Sequence, residues 1–149
     1  MNFNLRKIKI SDWKILFNWR NDDNTRYWFF NESVVDKESH IKYIKNVINS
    51  NHKEIYILFI NDEPAGTINS NYNSSDDTYT LGYSIDNKFR KKGLSIIMMK
   101  LFLYDKQGTF ICKIKETNIP SIKMVERVGY VKELLNTEPA NILTYKLIK

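Results

Sequence analysis

Between residues 78 and 115 the hydrophobic period of the chain changes twice. TYTLGYSI (78–85) reads as a strand. Residues 94–104 then carry Leu94, Ile97, Met98, Leu101 and Phe102 on one helical face, and TFICKIK (109–115) returns to a strand. A sheet that takes a helix between two of its strands must carry that helix on one face, which rules out an all-β sandwich and a helical bundle. Upstream, FNLRKIK (3–9) alternates as a half-buried strand. Ser11 and Asp12 can cap a helix that repeats through Trp13, Leu16 and Phe17. The stretch 21–33 breaks that pattern and reads as a loop bearing aromatic residues. A second helix is predicted from Asp36 to Asn49, with Ile41, Ile44, Val47 and Ile48 as its stripe and His40 close beside it. EIYILFIN (54–61), AGTINSN (65–71) and 78–85 form an antiparallel meander, turned at NDEP (61–64) and in the polar stretch 69–78. After 109–115, Asn118 caps another helix, Pro120 suits its first turn, and Met124, Val125 and Val128 form its apolar face. Gly129 then falls where a left-handed cap belongs. YVKELLN and NILTYKLI close the chain as a strand pair. The order β-α-α-β-β-β-α-β-α-β-β sets two strand-helix-strand units inside a largely antiparallel meander, a mixed α/β fold.

A length of 149 residues fits one domain, 1–149, that buries a full core without staples. The single cysteine, Cys112, excludes an internal disulfide framework and a multi-cysteine zinc site. Its neighbours Phe110 and Ile111 mark it as a buried thiol. Two histidines, His40 and His52, leave no metal site to expect. The first residues lack an apolar h-region, and no apolar run nears the roughly 20 residues of a membrane span. A cytoplasmic protein without a membrane partner is the expectation. The net charge of +6 suits an anionic partner, yet the lysines are spread along the whole chain, so charge alone selects none. A nucleic-acid reader needs a helix studded with Arg, Lys, Asn and Gln. Residues 94–104 offer Lys100 alone as a base, and no nucleic-acid partner is expected.

The junction between the strand at 78–85 and the helix at 94–104 carries the chemistry. The first four N–H groups of a helix have no intrahelical partner and sit at the positive end of its dipole. Gly93 lets a ligand approach that backbone closely, and Arg90, Lys91 and Lys92 add charge. The fitting guest is a pyrophosphate. Neither the Walker P-loop nor the G-x-G-x-x-G dinucleotide pattern is present. A basic loop on a solvated face is the plain alternative.

Residues 81–103 resemble motif A of the GCN5-related N-acetyltransferase (GNAT) family, Arg/Gln-x-x-Gly-x-Gly/Ala after a strand and opening a helix. Arg90-Lys91-Lys92-Gly93-Leu94-Ser95 matches except that Ser95 replaces the last Gly or Ala. NIPSIKMVERVGY (118–130) resembles the family's Asn-x-x-Ser helix with its Glu-Lys/Arg-x-Gly-Phe/Tyr ending, and the element order agrees along nearly the whole chain. The resemblance implies a GNAT fold: a central, mostly antiparallel sheet with a splayed parallel pair and flanking helices. It implies acetyl-CoA as co-substrate, its pyrophosphate on the backbone of residues 90–95. Pantetheine would lie where the strand ending at Ile85 parts from 109–115, and Asn118 and Ser121 would face it. Asn118 also serves as a plain helix cap.

The family implies direct attack of an amine on the thioester. An alkylammonium titrates near the lysine value of about 10, so its proton must be removed; the oxyanion needs a donor and the thiolate an acid. Many relatives supply that acid as a tyrosine seven residues after the asparagine; here that position is Val125. Tyr83, Ser84 and Tyr130 are the substitutes nearest in sequence, with strand packing the alternative for Tyr83.

The N-terminal half, which sets the acceptor in this family, has Trp19-Arg20-Asn21, Arg26-Tyr27-Trp28 and His40. These resemble the PseH-type nucleotide-amino-sugar N-acetyltransferases, which implies the 4-amino group of a UDP-linked amino sugar as acceptor. Arg20 or Arg26 would take the diphosphate, Trp28, Tyr27 or Phe29 the uracil, and His40 the sugar or diphosphate, or the proton as base. Core packing for Trp19, Trp28 and His40, and surface ion pairs for both arginines, are the competing readings. Acetylation of protein N-termini or other small amines, or acyl-CoA binding without turnover, are the rival functions. Sheet-edge homodimers are common in the family.

Overall fold

Alternation of apolar and polar residues builds the sheet. The computed structural model describes residues 1–135 and 138–149. Its strands are β1 (Phe3–Lys7), β2 (Lys53–Ile60), β3 (Glu63–Asn73), β4 (Thr78–Ile85), β5 (Thr109–Lys115), β6 (Val131–Lys132) and β7 (Ile142–Ile148). They lie in the order β1-β2-β3-β4-β5-β7-β6, and only β4 and β5 run parallel. Helices α1 (Trp13–Asn21), α2 (Asp23–Arg26) and α3 (Lys37–Ile48) connect β1 to β2, α4 (Leu94–Leu103) connects β4 to β5, and α5 (Ile119–Val128) follows β5.

Period-two alternation sorts each strand between two cores. Ile55 and Ile57 of β2 face α1 and α3, where they meet Leu16, Trp19, Ile44 and Val47. Leu58 faces the other way and joins Ile68, Leu81, Met98, Phe102 and Phe110 under α4 and α5. The result is a three-layer sandwich of helices, sheet and helices, the expected mixed α/β architecture.

Three differences from the sequence reading have physical causes. The supposed loop 21–33 contains α2, a single turn started by Asp22, whose carboxylate accepts the Thr25 N–H at 3.0 Å. A helix that short leaves no hydrophobic period. Residues 72 and 73, read as loop beyond the strand expected over 65–71, continue β3 as far as Asn73↔Thr78, half-buried at Tyr72 and exposed at Asn73. Finally, β6 has two residues rather than the strand expected over 130–136, of which residue 136 lies outside the described residues. The turn after β2 narrows to Asn61 and Asp62, both left-handed (φ 48° and 68°), the geometry a two-residue hairpin favours.

The parallel ladder is short. It runs from Thr78↔Thr109 to Leu81↔Cys112 and stops there. Beyond it β4 stays on β3 through Ile85↔Gly66, and β5 stays on β7 through Lys115↔Ile142. Each strand follows its antiparallel neighbour, so the sheet opens into a V at Gly82 and Lys113. The splay that the resemblance implied is present.

One hydrogen bond ties the β4 side of this V to the α1 layer. Trp19 is 7% exposed, and its indole N–H donates to Asp86 Oδ2 at 2.7 Å, just past the end of β4. Trp19→Phe keeps an aromatic ring in the core and removes that donor. It is expected to lower the unfolding free energy by about 1–3 kcal/mol, read from the urea midpoint.

Candidate active site

The loop between β4 and α4 is shaped by two left-handed residues, Lys91 (φ 64°) and Gly93 (φ 72°). Such residues turn successive N–H groups toward one concavity, which is an anion nest. Gly93 stands at the N-cap of α4, so the unpaired N–H groups of the first helical turn point into the same place. A Cβ built on Gly93 meets nothing within 4 Å. Lys91, Lys92 and Gly93 are exposed, Ser95 is half-buried, and Leu94 has its side chain in the core beside Ile60 and Ala65. Leu94 can therefore offer only its backbone.

Arg90 points elsewhere. Its Nε donates to the Ile85 carbonyl at 2.9 Å and its Nη2 to Thr25 Oγ1 at 2.8 Å. The guanidinium expected on a pyrophosphate instead braces the loop against β4 and α2, and the Ile85 carbonyl is engaged as well. The residues still fit acetyl-CoA: an open nest with two exposed lysines suits its pyrophosphate, and the β4 edge beyond Leu81, which no strand pairs on the β5 side, suits the amides of its pantetheine arm.

In the V, Tyr83 and Ser121 meet: the two hydroxyls are hydrogen-bonded across from β4 to α5. Asn118 holds that end of α5 by accepting the Ser121 N–H at 3.4 Å. Burial, with Cys112 nearby, pushes the Tyr83 hydroxyl well above its ordinary value despite the bond from Ser121. Tyr130 does not touch Ser121 but lies deeper, close to Cys112 and Tyr83. It is 4% exposed, with its hydroxyl on the Met99 sulfur at 3.7 Å, and burial, with Cys112 and Tyr83 nearby, raises it strongly. Ser84 faces the opposite side of β4 from Tyr83 because strand side chains alternate.

The acceptor-side residues divide. Trp19 is core. Asn21 has both amide atoms on the Val35 backbone, at 2.8 Å each, so it clamps the far end of the 22–35 segment. Arg26 donates to the carbonyls of Asn21 (2.8 Å) and Glu32 (3.0 Å) and pairs with Asp23 (3.0 Å). Its expected diphosphate contact gives way to loop closure. Trp28 is half-buried, edge-on to the exposed Tyr27 at 4.7 Å. His40 is 5% exposed, edge-on to Phe17, and burial lowers its pKa, helped by Arg20 and opposed by a bond to the Trp13 backbone. Arg20 lies over the Phe29 ring at 4.8 Å and donates Nη2 to the Asn31 carbonyl at 3.1 Å. Arg20 Nη1 and His40 Nε2 are buried without a hydrogen-bond partner among the described residues.

On the α3 face a groove of about 460 Å³ runs over β2–β5, lined by Tyr43, Asn69, Asn71, Thr80, Gly82 and Lys113 among others. The Asn69 amide covers Gly82, its atoms 3.0 Å from where a Cβ would stand. The sequence reading missed Asp22, Thr25, Asp86 and Lys115. Only Asp22-x-x-Thr25, a cap spacing, left a local signal.

The chain matches the family "Acetyltransferase (GNAT) domain" over residues 2–131. It belongs to that family and is an acetyl-CoA-dependent N-acetyltransferase of the GNAT type. Solved structures of similar fold include a ribosomal L7/L12 alpha-N-protein acetyltransferase, RimL, in complex with coenzyme A. That match has TM-score 0.79 and 18% identity, over 99% of this chain and 94% of that one. Spermidine N-acetyltransferase from Vibrio cholerae with CoA and spermine superposes with TM-score 0.85 at 14% identity, over 98% and 95%. Aminoglycoside acetyltransferase AAC(6')-Ib with coenzyme A does so with TM-score 0.80 at 16% identity, over 99% and 95%. No curated protein sequence matches the chain.

Gly93→Asp sets a carboxylate in the nest without a steric clash in the free protein. It is expected to weaken coenzyme A by up to roughly 30-fold in calorimetry, since a charge at a helix terminus is worth up to about 2 kcal/mol. Undiminished affinity would put the pyrophosphate elsewhere.

Proposed function

We propose that the acceptor is the 4-amino group of a UDP-linked amino sugar, as in PseH-type enzymes, acetylated in the cytoplasm. The observation that carries this reading is Arg20. It is a half-buried guanidinium over the Phe29 ring, with one nitrogen, Nη1, shut off from solvent without a hydrogen-bond partner, and with no carboxylate partner among the described residues. The nearby carboxylates are engaged: Asp22 by Thr25 and Asn87, Asp23 by Arg26, and Glu32 by Lys115. A guanidinium nitrogen buried without an acceptor suits an anionic guest. The exposed Tyr27 supports uracil stacking, and the amide- and hydroxyl-lined groove supports a sugar.

Acetyl-CoA supplies an activated acetyl carbonyl and a sulfur that departs as thiolate. Tyr83 is the residue assigned to that sulfur. Its hydroxyl keeps its proton at working pH because its pKa is raised, and Ser121 fixes its direction. Nζ of Lys92 and Lys91 and the backbone of 91–95 hold the phosphates, and Asn118 fixes the N-terminus of α5.

Purified protein incubated with acetyl-CoA and a panel of UDP-4-amino sugars, spermine, aminoglycosides and N-terminal peptides is read by mass spectrometry. Acetylation of a UDP-amino sugar is expected. Product only on peptides or polyamines would move the protein to another acceptor class. Tyr83→Phe is expected to lower kcat by about 100-fold, within the range of general acid catalysis, while leaving coenzyme A affinity in place. Because the pKa of Tyr83 is raised, the wild-type kcat is expected to show no descending limb from this group below about pH 10.

A further inference from the structure

We propose that Thr25 is a positioning residue that couples the cofactor loop to the acceptor-side segment 22–32, so that coenzyme A on the loop tightens that segment. The inference rests on the reading that residues 90–95 hold the pyrophosphate.

Three groups form a directed chain. Arg90 Nη2 donates to Thr25 Oγ1 at 2.8 Å, and Thr25 Oγ1 donates to Asp22 Oδ2 at 3.0 Å. The same carboxylate takes the Thr25 N–H at 3.0 Å, and its other oxygen takes Asn87 Nδ2 at 2.8 Å. Thr25 is 6% exposed, so the middle link of the chain is shielded from water, while Arg90 and Asp22 at its ends are half-buried. The hydroxyl is the only group that can pass the bond on, because it accepts from a cation and donates to an anion at once.

The segment is also held at its other end. Lys115, the last residue of β5, donates Nζ to the Tyr27 carbonyl at 2.9 Å and meets Glu32 at 3.1 Å. Residues 22–32 are thus attached to the end of β4 through Arg90 and to the end of β5 through Lys115, bridging the mouth of the V. Arg90 is fixed to the Ile85 carbonyl at 2.9 Å, so anything that orders residues 90–93 orders the donor that Thr25 receives. A ligand that stabilises one arrangement of the loop stabilises the segment by the free energy that couples the two, and an acceptor on the segment returns the same factor to coenzyme A.

The test is hydrogen exchange by mass spectrometry on the full chain, with coenzyme A as the probe and its binding followed by calorimetry in the same samples. The backbone amides of Arg26, Tyr27, Trp28 and Phe29 are all hydrogen-bonded within the segment and report on it. Saturating coenzyme A is expected to slow their exchange by about fivefold or more in the wild type. Thr25→Val is expected to bind coenzyme A yet lose that slowing, and Thr25→Ser, which retains the hydroxyl, to restore it. A merely structural threonine would alter exchange equally with and without coenzyme A. Bound coenzyme A that leaves wild-type exchange unchanged, or slowing that persists in Thr25→Val, overturns the coupling. If Gly93→Asp binds coenzyme A normally, the loop assignment falls instead, and the coupling with it.

Discussion

The parting of β4 from β5 after Leu81 and Cys112 is the constraint from which the rest of this structure follows. Up to that pair the two strands share a ladder, and beyond it each belongs to its antiparallel partner. The opened edge leaves backbone groups beyond Leu81 without a strand to receive them in the middle of the sheet, where such groups are ordinarily paired. A substrate with amide groups is the natural occupant. The α4 and α5 N-termini stand on the two sides of the same opening, so the V also gathers two positive helix ends. Fold and chemistry therefore share one cause: the site exists because the sheet does not close.

Polar networks around the opening do a different job from the one their charges suggest. Arg90, Arg26 and Asn21 all sit where a ligand contact is easy to imagine, yet each is directed at backbone carbonyls or amides of the protein. They convert the irregular chain between α1 and α3 into a defined shape without the periodic packing that holds a helix or strand. Arg20 and His40 differ because they keep buried polar atoms unmatched. Buried donors and acceptors left open cost free energy, so the contrast between satisfied and unsatisfied polar groups separates framework from candidate contact more sharply than residue type does.

The elements that carry the site were legible because each has a local signature. β4 and β5 fall on 78–85 and 109–115 as read. Gly93 takes the left-handed N-cap of α4, Asn118 caps α5, and Gly129 ends it with φ 118°. Each depends on residues within one turn of itself. What was not legible depends on direction across the chain. Nothing in Trp19-Arg20-Asn21 tells that the tryptophan points into the core toward Asp86, 67 positions away, while the arginine keeps an open nitrogen. Tyr83 and Ser121 were both singled out, but their bond spans 38 positions and required the V. The burial of Tyr130 was equally invisible, because its neighbourhood, Met99 and Cys112, is assembled only by packing α4 against β5.

The chain's lone sulfhydryl sits at the fork itself, paired opposite Leu81 at the last rung before the strands separate. Thiols exchange readily with thioesters, and such a group beside a bound acyl donor threatens to intercept the acyl unit. Burial pushes the Cys112 pKa up to about 12, so the thiol stays protonated at neutral pH and is not the nucleophile its place at the fork would suggest. Packing at the last shared rung thus keeps the chain's one sulfhydryl chemically silent beside the opening where the strands part.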